Sequence, residues 1–383
     1  GTFTHSTTTV IFDGSSTSTF SGATTFYNLT STTTSKVLEF ATGTSATTTI
    51  KGTLTLNGQA CGSQIKLRSK QSGQYWYLNA LATTSVAYVD VKDSNATGSA
   101  GAINASSSKD SLNNVNWNIT QDGCAVLNIQ GIVYQSDEST YINTGPTISL
   151  VVNSAWTAST SASTTNGFYS FPNVNASSSD TITVYIDNNA ATGTTVTVTS
   201  GYGNILDLDI YADHVIVRDD NTGSGLSIAN MVYWDKDNDS DIRFTATTTG
   251  TDTLTVDSPN ELYIWSSSAG VFTPNGNVTT HDMDIRGKFN ASGTESHTVS
   301  GSWFASSTTG FSAASSTVNF TSTANEAITT DGFSFYNLTF NGSNGVWTFK
   351  DAATTTNDLV ITAGTASSTY DMYVKGGDVT GNG

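Results

Sequence analysis

Phe26-Tyr27-Asn28-Leu29-Thr30 returns, letter for letter, as Phe335-Tyr336-Asn337-Leu338-Thr339. The flanks return with it. Val10-Ile11-Phe12-Asp13-Gly14 precedes the first copy and Val318-Asn319-Phe320-Thr321-Ser322 the second, with Phe20 eight residues after Phe12 and Ile328 eight after Phe320. Two similar blocks 308 or 309 residues apart argue for a chain built coil on coil rather than as one globule.

Ser and Thr make up close to a third of the chain, while charged residues are only 12%. That composition alone would suit a disordered polymer. The 10% aromatic content, with Val, Ile and Leu at alternating positions, opposes that reading, because disordered chains lack such residues. Thr is β-branched and suits a half-exposed pleated surface. The expectation is an all-β protein with a hydroxyl-coated exterior.

Short apolar-alternating runs follow one another through the first 120 residues: Val37-Leu38-Glu39-Phe40, Leu54-Thr55-Leu56, Ile65-Lys66-Leu67-Arg68, Tyr75-Trp76-Tyr77-Leu78 and Val86-Ala87-Tyr88-Val89-Asp90-Val91. Gly, Asn, Ser or Asp separate them, which is the strand-and-turn pattern, and no helical period is sustained. A strand about every ten residues fits two or three strands per coil of a parallel β-helix. It equally fits an antiparallel sandwich.

A resemblance favours the first. The series "IKGTLTLNG", "IKLRS", "YWYLN", "VAYVDVKDSNATG", "INAS", "NNVNWNI" resembles a repeat of secreted bacterial surface proteins. It covers about residues 1–120 and again 285–383, and implies a right-handed parallel β-helix (β-solenoid) and a cell-surface location; with the alternation that resumes near residue 200, residues 1–122 and 200–383 are expected to be solenoid. It carries no catalytic residues. In between, Gly131-Ile132-Val133-Tyr134, Ile148-Ser149-Leu150-Val151-Val152, Gly167-Phe168-Tyr169-Ser170-Phe171 and Ile182-Thr183-Val184-Tyr185-Ile186 follow as separate strands, an order similar to carboxypeptidase-regulatory-like and collagen-adhesin B-type modules, which implies an inserted Ig-like β-sandwich over residues 123–199. Some adhesin relatives carry an internal Lys–Asn cross-link, but this segment has no lysine.

The net charge of −17, with no Lys or Arg between Lys109 and Arg218, excludes the basic footprint of a nucleic-acid binder. No apolar run is long enough for a membrane helix, so membrane insertion is not expected. The chain begins at Gly1 without Met, which suggests a processed or excerpted form. Cys61 and Cys124 are an even pair. A disulfide between them would close a loop of about sixty residues, worth roughly 4 kcal/mol in a chain-entropy treatment; two separate buried thiols are the alternative.

The densest chemical cluster is Asp235-Lys236-Asp237-Asn238-Asp239-Ser240-Asp241. Alternate carboxylates there, Asp235, Asp237, Asp239 and Asp241, suggest calcium ligands. Ser240 stands where an EF-hand loop has glycine and Ala246 where it has glutamate, so a solvated acidic turn competes with that reading. A polysaccharide lyase or hydrolase would draw on Arg218 with Asp219 and Asp220, or on Arg243 near Asp241; neither set makes a convincing acid–base pair. Trp76, Trp156 and Trp265 are candidates for stacking on surface glycans, as in an adhesin stalk, though core packing is the commoner fate of such residues.

The two ends complete the reading. Gly1, Thr2, Phe3, Thr4, Val10 and Phe12 look like the second half of a rung, and Tyr373, Val374, Asp378 and Val379 like the start of one. Solenoids ordinarily close with polar caps, and neither end shows one. The function expected is a non-enzymatic extracellular structural protein, its copies assembling head to tail through these residues into a filament or array. The adhesin stalk excerpted from a longer chain is the alternative.

Overall fold

The computed structural model describes residues 6–60, 63–120, 126–200, 203–221, 225–266, 270–306 and 310–381. It is an all-β solenoid. Among the described residues the helical content is one four-residue helix, Ile228–Met231, and one 3-10 turn, Thr44–Ala46. The chain divides into two compact units: Gly1–Leu127 with Asn175–Ser177 and Gly201–Gly203, and Asn128–Val174 with Ser178–Ser200 and Asn204–Gly383.

In the first unit every third strand pairs in parallel, so each coil has three strands. Thr9–Ile11, Ser18–Phe20 and Thr24–Phe26 form one coil; Asn28–Ser31, Val37–Phe40 and Thr48–Ile50 lie on it in register. The repeated phrase is the corner between coils. Phe26 ends one strand with its ring inside, Tyr27 makes the bend, and Asn28 opens the next strand. The Asn28 side chain donates to Thr9 Oγ1 of the coil before (3.2 Å) and accepts from Thr53 N–H of the coil after (2.7 Å).

The second copy repeats this in the second unit. Phe335 closes its strand, Asn337 donates to Thr317 Oγ1 (3.1 Å), and its Oδ1 accepts from Asn357 Nδ2 (2.8 Å) and Asp358 N–H (3.3 Å). An amide side chain that both donates and accepts suits a site where two neighbouring coils each offer one unpaired polar group.

Inward columns follow the registers. In the first unit Phe20 stacks on Phe40 (centroids 4.5 Å apart) and Phe40 on Trp76 (4.0 Å). In the second unit one column runs Val215, Leu262, Met283, Trp303, Ile328, Phe349, and another Leu254, Val278, His297, Val318, Leu338, Leu359, Val379. Stacking like on like buries apolar area that no single coil can hide. Where the long strand Asn337–Phe349 bulges, Gly342 lies against the Ser322 carbonyl, and a side chain there would collide with it.

The second unit begins with antiparallel pairing. Ala155–Ser161, Thr147–Val152, Thr181–Asp187 and Thr194–Val198 form a sheet in that order. The last of these then pairs in parallel with His214–Val217, through Thr194 and Val215, so this sheet continues straight into the solenoid ladder. The strand Val126–Tyr134 pairs instead with Ile210–Tyr211.

Candidate functional site

The proposed assembly residues fall into three groups. Gly1, Thr2, Phe3 and Thr4 lie outside the described residues, as do Cys61 and Cys124. Val10 and Phe12 are half-buried and pack on the core of the first unit, while their neighbour Ile11 is the exposed one. At the other end Val374 is half-buried, whereas Tyr373 and Asp378 are exposed and Asp378 N–H is bonded to the Asp358 carboxylate (2.9 Å). Val379 stands in register with Leu359 on the inward column, yet 66% of it is exposed.

The acidic turn divides. Asp235 is buried, its oxygens accepting from the N–H groups of Asp237 (3.0 Å) and Ala246 (2.8 Å), so it braces its own turn. Asp237 is exposed. Asp239 and Asp241 come together with Asp187, which the sequence reading did not include. These three also have protein donors: the Tyr185 hydroxyl to Asp239 (2.8 Å), Asn188 N–H to Asp241 (2.7 Å) and the Ser149 hydroxyl to Asp187 (2.6 Å).

Arg218 is a clamp. Its guanidinium donates to both oxygens of Asp220 and to Asp207, lies 5.1 Å over the Trp265 ring, and is buried. Asp219 accepts from the N–H groups of Asn221 and Gly225, closing a turn. Of the tryptophans, Trp76 and Trp265 are buried, and Trp156, on the strand Ala155–Ser161, is 55% exposed.

A further cluster in the second unit is absent from the sequence reading. The ladder places Glu261 directly beside His214, and Asp282 beside Glu261. A tight turn, closed by Gln135 N–H to the Thr140 carbonyl and braced by Asp137, brings in Glu138. His214 Nε2 is 3.8 Å from a carboxylate oxygen of both Glu138 and Glu261. Its Nδ1 lies 2.6 Å from the Ala212 carbonyl, which can only accept, so Nδ1 carries the proton. Tyr211 and Tyr263 wall the imidazole edge-on at 5.7 and 6.0 Å.

Charge in this pocket is one-sided. Glu138, Glu261, Asp282 and Asp284 face one guanidinium, Arg286, which is committed to Asp284 (2.7 Å). Burial, with the nearby carboxylates of Asp284, Asp282 and Glu138, pushes Glu261 up to about 8. Burial likewise raises Asp284 against the pull of its hydrogen bond from Arg286. Beside Glu261 opens a recess of about 170 Å³, lined by Asp282, Met283, Asp284, Ser302 and Phe304.

No local signal could have revealed this group. Glu138, His214 and Glu261 are far apart in sequence, and only the coil lengths decide which residues meet. Comparison with protein-family models, curated proteins and solved structures finds no match to this chain.

Proposed function

We propose that this chain is a structural protein of the cell exterior whose copies assemble coil on coil into a filament or surface array. One observation carries the reading: Val379 occupies an inward position, in line with Leu338 and Leu359, but is left largely exposed. An inward apolar residue at an open strand edge is covered by one more coil, of the same polypeptide or of a second copy, and the assembly reading takes the second copy. In the first unit Val10, half-buried, is the first described member of the column that continues through Leu29 and Leu54. Laying the Val379 coil of one copy on the Val10 coil of the next would extend both columns without a new type of contact. Such a head-to-tail contact does not close, and so propagates.

The hydroxyl-rich surface and low charge support an extracellular location, as does the resemblance of the first 120 residues to surface-protein repeats. Electron microscopy of the purified 383-residue chain tests the reading. Filaments that disappear in Val379→Asp, a change at an already exposed site, support it. Discrete particles at all concentrations sink self-assembly and leave a stalk belonging to a longer chain. Repeating the imaging with a calcium chelator tests whether calcium, expected at the 235–241 turn, contributes to assembly.

Trp156 favours a second reading, adhesion to glycans. An indole 55% exposed on a strand surface is free to stack on a sugar ring. Glycan-array binding that is lost in Trp156→Ala, with the fold unchanged, would establish it.

A further inference from the structure

We propose that Glu138, His214 and Glu261 bind a divalent transition metal of the zinc type. The argument starts from the histidine. Its side chain is 5% exposed, and Nδ1–H is spent on the Ala212 carbonyl. In the tautomer with its proton on Nδ1, Nε2 presents its lone pair toward two carboxylate oxygens. One imidazole nitrogen and two carboxylate oxygens converging on one point make a donor set that a cation can complete.

The distances suit such an ion. The three ligand atoms lie within 4.8 Å of one another. A tetrahedral zinc with bonds near 2.0 Å holds its ligands about 3.3 Å apart, so the Nε2–carboxylate separations of 3.8 Å need about half an ångström of closure. Both glutamates are partly exposed and able to make that movement. A ligand imidazole whose other nitrogen donates to a backbone carbonyl is the usual way of fixing tautomer and ring orientation at metal sites.

Imidazole with two carboxylates selects against calcium and magnesium, which take oxygen ligands. It also separates this site from the Asp187, Asp239, Asp241 cluster, where neighbouring protein groups already donate to the carboxylates. Three protein ligands leave at least one coordination position for water.

Titration calorimetry of the intact chain with zinc chloride tests the proposal, with cobalt(II) absorption as a second readout. One equivalent should bind, and the cobalt spectrum should lack a thiolate charge-transfer band, which keeps Cys61 and Cys124 out of the result. His214→Gln and Glu138→Gln should each weaken binding about tenfold or more, while Asp239→Asn leaves it unchanged. Glu138 lies on a turn with a partly exposed side chain, so its variant keeps the test decisive if the His214 variant fails to fold. No binding at tens of micromolar zinc, or equal affinity in wild type and Glu138→Gln, overturns the site and leaves His214 a buried side chain packed between Tyr211 and Tyr263. Neither outcome bears on the Val379 contact, which microscopy reads separately.

Discussion

His297 is the one polar member of an otherwise aliphatic column, flanked in register by Val278 and Val318. It is fully buried, neither ring nitrogen has a hydrogen-bond partner, and Phe289 meets it edge-on at 5.0 Å. An unsatisfied buried donor costs about 1–3 kcal/mol. His297→Leu removes that cost and supplies the side chain the column uses at Leu254 and Leu338, so it should stabilise the second unit by about 1–2 kcal/mol at pH 7. The pH dependence sharpens the test. Burial, only partly opposed by the Glu295 carboxylate 3.8 Å away, lowers His297 to about 4. The unfolded chain binds this proton near pH 6.5 and the folded chain only near 4. Between those values the unfolded state holds more protons, so stability falls as pH falls, by about 3 kcal/mol in all. The leucine variant lacks this loss. Urea denaturation at pH 7 and pH 4 should show the gap between variant and wild type widening from about 1–2 to about 4–5 kcal/mol. An equal loss of stability on acidification in both proteins would refute the reasoning, as would a variant less stable than wild type at pH 7.

Three further outcomes are expected. Asn337→Ala removes side-chain bonds to both adjacent coils and should cost about 1–2 kcal/mol, with the effect matched by Asn28→Ala in the first unit, as measured by denaturant midpoints. Phe40→Ala opens the aromatic stack between Phe20 and Trp76, so it should destabilise by about 3–5 kcal/mol and abolish the near-ultraviolet circular dichroism of the stack. Trp156→Ala should shift stability by less than about 0.5 kcal/mol, because the indole packs little; a large loss measured by thermal melting would place it in a core instead.

Strand positions were legible in the sequence because alternation writes them directly. Val37-Leu38-Glu39-Phe40 turns Leu38 and Phe40 inward, as its pattern says. The repeated phrase pointed correctly to coils, since its Phe, Asn and Leu serve one corner design in both units. Three strands per coil was not legible. Register pairs Thr9 with Asn28, Leu54 with Thr84, and Ile103 with Trp117, so coils consume 19, 30 and 14 residues, and such variation hides a period.

Residues 123–199 illustrate a different limit. The separate strands were readable, but the parallel join from Thr194–Val198 to His214–Val217 is a long-range pairing that no local pattern encodes. The same holds for Asp187 joining Asp239 and Asp241, and for the meeting of Glu138, His214 and Glu261. Local alternation reports which way a side chain faces, and only coil length reports whom it faces.

That variation in coil length has a consequence for how such a chain can change. A coil of 14 residues and one of 30 each advance the stack by a single strand spacing of about 4.8 Å. Extra residues leave sideways, as loops, and add nothing along the axis. The six strands of the first ladder therefore span about 24 Å however much sequence hangs from them. Such a chain is a ruler graduated in rungs: insertions can alter what it displays at any graduation while the distance it measures stays the same.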